Sequence, residues 1–189
     1  AKNNEILLFT VSTMEDILNV NSRSVYIDPE DFGNFHIRSK YNFSVCTWNI
    51  NGLKYKMDEI NILLYELEKR KLTIDILMFC ETLLKKEDEI DMPKIMGYNS
   101  EHYIRKTQGG GISIFIRNDI KYKRCEENIQ TLIQEPNESL FLEIENDGIR
   151  KKKKILIGEI YRRPVGSVNT FINNIENLAK TIRGKYSDD

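Results

Sequence analysis

Three short strand-like runs in this sequence each end in a polar side chain that could bind a metal ion or a phosphate group. The runs are 43–48, 74–80 and 155–160, and the residues that follow them are Asn49, Glu81 and Tyr161. Apolar runs of this length, bounded by turn residues such as Asn51 and Gly52, predict β-strands. In layered α/β folds the carboxyl ends of strands tend to meet at one ligand-binding edge. We therefore expect Asn49, Glu81 and Tyr161 to lie in one site.

Periodicity in the rest of the chain predicts an α/β domain. An amphipathic helix is predicted from the helical spacing of Met57, Ile60, Leu63, Leu64 and Leu67. A closing helix is predicted over 171–182, ending at Gly184. Alternation with a period of two predicts strands at 112–116 and 140–144, and an extended stretch begins at 97–98. The nearly continuous apolar run 74–80 is typical of a strand that is covered on both faces.

The chain divides into a leader and a main domain. We expect a leader over residues 1–42 and a partial domain over 43–189. The leader contains the apolar run 6–11, and Ser12 with Glu15 forms a capping box that predicts a short helix. The turn signal 147–148 and the basic run 150–154 predict a hairpin tip between the last two strands.

Composition excludes several classes of protein and favours an intracellular setting. The 189 residues suffice for one domain, and a net charge of -1 means that any polyanion site must be local. Cys46, Cys80 and Cys125 are widely separated and odd in number, which indicates reduced, buried thiols. A zinc site is not expected, because there is no CxxC pair and only His36 and His102 could contribute. No apolar stretch approaches the roughly 20 residues of a membrane-spanning helix.

Each of the three strand-end residues has a chemical role and a simpler structural alternative. Glu81 offers hard oxygen ligands, which suit Mg²⁺, but it could also cap a turn or pair with a surface cation. The Asn49 amide can contact a phosphate oxygen or a metal-bound water, but it could equally form an Asx-turn. The Tyr161 hydroxyl could donate to a phosphate, or the ring could cover a sheet edge with its tip in water.

Basic and aromatic residues supply weaker candidates for DNA contacts. The run 150–154 could follow a DNA backbone, although charge runs at hairpin tips are more often only solvated. Arg105 and Lys106 precede a triple glycine, which would allow close approach of the backbone to a phosphate. Tyr98 and Tyr103 could stack on an extruded base, but core packing accounts for them as well.

Several motifs together resemble a known superfamily. They are CTWNINGL at 46–53, the strand end CET at 80–82, GYN at 97–99, the run with RxxxGGGISIFI at 105–116, and IGEIYRRP at 157–164. In this order they are similar to the endonuclease/exonuclease/phosphatase superfamily, and most similar to the apurinic-endonuclease-like nuclease domain of non-LTR (LINE-type) retrotransposons. The resemblance spans about residues 43–183. It implies a DNase I-like α/β fold, in which a two-sheet β-sandwich is flanked by helices.

The resemblance implies a function for individual residues. It makes Asn49, Glu81 and Tyr161 the catalytic set, with Glu81 and Asn49 at a Mg²⁺ (or Mn²⁺) ion, and Asn51 a residue that shapes the loop. Asn51, Arg105, Lys106 and Arg162 become candidate DNA contacts. The implied activity is metal-dependent hydrolysis of a phosphodiester bond, leaving a 3′ hydroxyl that primes reverse transcription. DNA is then the partner, a reverse transcriptase domain could follow in a longer protein, and the location would be nuclear.

The sequence also departs from the family pattern. Such domains continue with a Gly-Asp-x-Asn motif and a later Ser-Asp-His motif, and these 189 residues contain neither. Arg163 stands where these elements usually have proline. We therefore expect a fold that is incomplete at the C-terminus and exposes an apolar sheet face, and a chain without efficient turnover.

Two alternatives to a DNA-nicking enzyme stay open. One is a nuclease-derived binding module without catalysis. The other is a phosphoesterase of the same superfamily that acts on a phosphoinositide or another substrate that is not DNA.

Overall fold

The computed structural model describes residues 7–11, 43–107, 109–133, 135–146 and 153–186. The helix predicted from Ser12 and Glu15 lies outside the described residues. So does the hairpin tip at 147–152, with the first three residues of the basic run 150–154, whereas residues 153 and 154 belong to a described strand.

Eight strands and three α-helices make up the described part of the chain. The strands are β1 (Leu7–Val11), β2 (Phe43–Asn49), β3 (Ile76–Cys80), β4 (Tyr98–Tyr103), β5 (Ile112–Arg117), β6 (Tyr122–Arg124), β7 (Glu138–Asn146) and β8 (Lys153–Tyr161). The helices are α1 (Met57–Lys69), α2 (Glu127–Gln130) and α3 (Val168–Tyr186). Short 3-10 helices occupy Leu53–Lys56 and Lys86–Asp91.

The strands form two sheets. The larger sheet has five strands in the order β1-β2-β3-β5-β4, and only the β2/β3 pair is parallel. The smaller sheet is antiparallel with the order β6-β7-β8. Part of the N-terminal segment therefore pairs with the main sheet, because Leu7–Val11 lies antiparallel to β2 along its edge.

The two sheets pack face to face, and a helix covers each outer face. The layer between the sheets consists mainly of β-branched side chains, among them Ile76, Ile112, Ile114, Ile144 and Ile157. Such side chains suit the pleated surface of a strand, because their restricted rotamers pack well against neighbouring strands.

The outer faces bury separate apolar clusters. Helix α1 covers the larger sheet with Ile60 and Leu67, which pack in one cluster with Phe79 and Phe115. Helix α3 covers the smaller sheet with Leu178, whose cluster includes Phe141. Strand β3 is buried along its whole length, as expected for a strand between two layers.

Most of the predicted elements are present at or near the predicted bounds. The α/β class with two stacked sheets and flanking helices is confirmed at this level of detail. The cysteines are confirmed as buried thiols, because Cys46, Cys80 and Cys125 are all buried and form no disulfide. Among the described residues, no helix combines the length and the apolar character needed to cross a lipid bilayer.

Two expectations are wrong for the described residues. The closing helix continues past Gly184 to Tyr186, because a glycine costs a helix only about 1 kcal/mol and the helix here is anchored by its packing. The expected exposed apolar sheet face is also missing. Among the residues whose side chains are described, which exclude those of β1, every strongly exposed large apolar side chain comes from a loop or a helix.

The layer between the sheets should dominate stability. We expect Ile114→Ala to lower the free energy of unfolding by about 2–5 kcal/mol, because Ile114 is fully buried between the sheets. Ile62→Ala is the control, since Ile62 is 63% exposed on α1 and should change stability by less than about 0.5 kcal/mol. Urea unfolding followed by circular dichroism measures both values, and equal effects would contradict this description of the core.

Candidate functional site

The ends of strands from both sheets meet at one edge of the molecule. Strands β2 and β3 run parallel, so Asn49 lies beside Cys80, and Glu81 follows directly. Strand β8 of the other sheet ends at Tyr161, whose hydroxyl donates a hydrogen bond to Oε1 of Glu81. The structure therefore brings Asn49, Glu81 and Tyr161 together, as the sequence predicts.

A change in backbone conformation turns Glu81 towards the site. Leu77 and Phe79 point from β3 into the cluster under α1, and strict alternation would send residue 81 the same way. Glu81 instead has a φ of 54°, in the left-handed region, which breaks the strand. Its carboxylate consequently reaches Tyr161 of the opposite sheet, where it is only partly buried.

Three segments around Glu81, which we call the site loops, are joined by backbone hydrogen bonds. They comprise residues 50–53, 81–83 and 109–111. The amides of Gly52 and Leu53 donate to the carbonyls of Glu81 and Thr82 at 2.8 and 2.9 Å. The amides of Thr82 and Leu83 donate in turn to Gly111 and Gly110 at 3.2 and 2.8 Å. The backbone around the carboxylate is therefore held from both sides.

Behind Tyr161 lies a second carboxylate, on Glu138. The two residues are opposite each other in the β7/β8 register, and Glu138 is only 2% exposed. Its Oε2 accepts a hydrogen bond from the amide of Gly111 at 2.7 Å, and Oε1 lies 3.6 Å from the guanidinium of Arg105. Burial raises the pKa of Glu138, while Gly111 and Arg105 oppose that shift.

A third carboxylate, on Glu159, lies further into the layer between the sheets. Thr47 of β2 donates a hydrogen bond from Oγ1 to Oε2 of Glu159 at 2.9 Å. This bond links the two sheets. Thr47 lies two residues before Asn49 on β2, and Glu159 lies two residues before Tyr161 on β8. Burial raises the pKa of Glu159 to about 7, and the Thr47 hydroxyl offsets only part of that shift.

The Tyr161 hydroxyl remains a proton donor over the neutral range. Burial raises its pKa above the ordinary value of a tyrosine, and the hydrogen bond to Glu81 raises it further. A protonated phenol beside a carboxylate can donate to an anionic oxygen as well as to Glu81, so the pair could exchange partners when a phosphate enters.

The predicted DNA contacts differ in their surroundings. Asn51, Lys106 and Arg162 are exposed at or near this edge. The Arg105 side chain is only 12% exposed and faces Glu138 instead of solvent. Contact of these residues with DNA stays a prediction, and for Arg105 the structure supplies an internal partner.

The predicted stacking role of two tyrosines has a packing alternative in the structure. The Tyr98 hydroxyl donates to the carbonyl of Ile74, and its ring packs against the cluster under α1. Tyr103 packs against the layer between the sheets. Both rings are thus accounted for by the core.

Few side chains at this edge could serve as ligands of a metal ion. No group of three or more His, Cys, Asp or Glu side chains in the described ranges could hold a metal ion. Magnesium commonly uses one or two carboxylates, with water and phosphate oxygens as its other ligands. Glu81 offers one accessible carboxylate and Asn49 an exposed amide next to it, so the pair fits that mode of binding.

Sequence reasoning missed Glu138, Glu159 and Thr47. Glu138 and Glu159 interrupt the apolar character of β7 and β8, and a carboxylate inside a buried strand is costly unless it has a partner. These two glutamates within apolar strands were therefore the feature of the sequence that could have indicated buried, partnered carboxylates. The partners themselves come from other strands and depend on how the sheets stack.

Comparisons of the sequence with models of known protein families and with curated proteins found no significant match. The resemblance to the endonuclease/exonuclease/phosphatase superfamily therefore rests on the sequence motifs alone.

Substituting Gly110 should disturb the buried carboxylate behind the site. A Cβ on Gly110 would overlap the carboxylate of Glu138, whereas a Cβ on Gly109 would meet nothing within 4 Å. Both glycines have positive φ, at 74° and 85°, so backbone strain is similar in the two alanine variants. We expect Gly110→Ala to be less stable than Gly109→Ala by about 1–3 kcal/mol, measured by thermal unfolding. Equal melting temperatures would mean that the contact does not constrain the loop.

Glu159 should make stability depend on pH. Its pKa in the folded protein is about 7 against 4.5 for a free side chain, so the folded state binds the proton more tightly. The associated stability is present below pH 4.5 and is lost as pH rises through about 7. We expect a loss of roughly 3 kcal/mol, and Glu159→Gln should remove that pH dependence while keeping an acceptor for Thr47. Urea unfolding at several pH values tests this. Glu145→Gln, an exposed control on β7, should keep the native slope.

Proposed function

We propose that this chain belongs to a magnesium-dependent, DNA-nicking endonuclease domain of the non-LTR retrotransposon type, with a DNase I-like fold. The observation that carries the proposal is the hydrogen bond between Tyr161 and Glu81, which joins the ends of strands from two different sheets at one edge. Motifs far apart in the sequence thus supply one site. This arrangement supports a role in binding a phosphate group better than the structural alternatives for each residue alone.

The roles of the residues follow from their chemistry. A bound Mg²⁺ ion would neutralise charge on the scissile phosphate. Glu81 supplies the anionic oxygen ligand, and Asn49 supplies an amide that orients the phosphate or a water molecule next to it. Tyr161 supplies a hydroxyl group that keeps its proton and can donate to a non-bridging phosphate oxygen. Asn51 lies in the loop after Asn49, and Lys106 and Arg162 add positive charge nearby.

Hydrolysis also needs a group that activates water. The resemblance assigns that role to motifs that these 189 residues do not contain. General acid–base groups contribute about 100- to 10,000-fold to such reactions, so we expect slow turnover by this chain and a clearer signal in binding.

Metal-dependent DNA binding tests the proposal. We expect Mg²⁺ to increase the affinity for a short duplex oligonucleotide, and Glu81→Gln to abolish the increase because a neutral amide holds the ion poorly. Fluorescence anisotropy with and without Mg²⁺ measures the change. Glu145→Gln is the matched control, because residue 145 lies at the opposite end of the β7/β8 hairpin from Tyr161. A Glu81→Gln variant with the native Mg²⁺ response would exclude Glu81 as the metal ligand.

A binding module without catalysis is the second candidate, and one observation favours it. Glu81 already has a hydrogen-bond partner in Tyr161. If the chain is such a module, its affinity for DNA would be the same in Mg²⁺ and in EDTA. Glu81→Ala would then change neither of these affinities.

A further inference from the structure

Two large apolar side chains are exposed next to the Glu81 site. Tyr55 is 88% exposed and Leu83 is 39% exposed. Tyr55 lies in the 3-10 helix Leu53–Lys56 that follows the first site loop, and Leu83 lies two residues after Glu81. Isolated apolar side chains on a surface are ordinary, so their position beside the carboxylate is the informative feature.

Gly52 brings the two side chains together. A Cβ on Gly52 would lie 3.1 Å from Cδ2 of Tyr55 and 3.8 Å from Cδ1 of Leu83, so both side chains flank this glycine. The amide of Gly52 donates to the carbonyl of Glu81, which ties the pair to the carboxylate through the backbone. We call Tyr55 and Leu83 the apolar platform.

The backbone under the platform is strained. Asn51, Glu81 and Leu83 have φ values of 46°, 54° and 56°, and they are three of the four described residues other than glycine with positive φ. This conformation is uncommon for a bulky side chain such as leucine. Strain of this kind persists where the surrounding structure enforces it, and it clusters at ligand sites. The Leu83 side chain is therefore exposed on a segment whose backbone is fixed by hydrogen bonds, such as that from the Leu83 amide to Gly110.

We propose that the apolar platform binds the face of an unpaired nucleobase next to the phosphate that Glu81 and Asn49 contact. The inference rests on the proposed function, because it places the base in the same strand as that phosphate. A tyrosine ring with an aliphatic neighbour can stack on any base, since every base has a π-face. Two side chains are too few for a stable protein interface. In a duplex the base faces are covered by their neighbours, so the ligand is a single strand or a locally opened one.

Binding of a single-stranded oligonucleotide with and without one base tests the platform. The probes are a fluorescein-labelled 12-mer that contains one 2-aminopurine and the same 12-mer with an abasic site at that position. We expect the native chain to bind the complete strand about tenfold more tightly than the abasic strand, with quenching of the 2-aminopurine. All measurements are made in EDTA, so they do not depend on metal binding.

Variants assign the effect to the platform. Tyr55→Ala should abolish the difference between the two strands, and Tyr55→Trp should retain it. Tyr65→Ala is the matched control, because Tyr65 is a 57% exposed tyrosine on α1, and it should bind like the native chain. Folding of each variant is checked by its melting temperature, which should not change for so exposed a residue.

The outcomes separate this inference from the proposed function. Equal binding of the two strands by the native chain overturns the platform, as does a Tyr55→Ala variant that still discriminates between them. Loss of discrimination in Tyr65→Ala would also overturn it, since that result points to a different surface. Glu81→Gln could keep the native response to Mg²⁺ while Tyr55→Ala loses the difference between the two strands. That result would contradict the proposed metal site and support the apolar platform.

Discussion

The β-branched layer between the two sheets is the interaction on which the candidate site depends. Buried side chains such as Ile76, Ile114 and Ile157 pack together in it, and close packing leaves the sheets little freedom to slide. The carboxyl ends of β3 and β8 consequently stay at the same edge. The hydrogen bond between Tyr161 and Glu81 is a result of that stacking, because neither strand alone positions both groups.

The polar groups behind the site are destabilising by themselves, and this is typical of functional regions. Glu138 and Glu159 are carboxylates placed where apolar residues would pack more favourably, and burial raises the pKa of both. Each is only partly compensated, by the Gly111 amide with Arg105 in one case and by Thr47 in the other. Departures of this kind from an ideal core tend to occur where function requires them. They surround the end of β8 that carries Tyr161.

The triple glycine shows how one motif can serve a purpose different from its simplest interpretation. Its sequence favours a loop that lets a phosphate approach the backbone. In the structure Gly110 and Gly111 instead make room for the side chains of Glu138 and Thr82. Arg105, expected beside DNA, contacts Glu138. The conformation of the loop is therefore set mainly by its contact with the buried carboxylate of Glu138. Lys106 is the basic residue of this segment that stays exposed.

The sequence by itself determined the order of most strands and helices, the three polar strand ends and the buried cysteines, because apolar periodicity and turn residues act locally. It also predicted that Asn49, Glu81 and Tyr161 would converge, through the general behaviour of strand ends. Only the tertiary structure decided the partners of Arg105, Glu138 and Glu159, the left-handed turn at Glu81, and the pairing of β1 with β2. Each of these depends on contacts between residues far apart in the chain, and no local pattern specifies which distant side chain fills a given space.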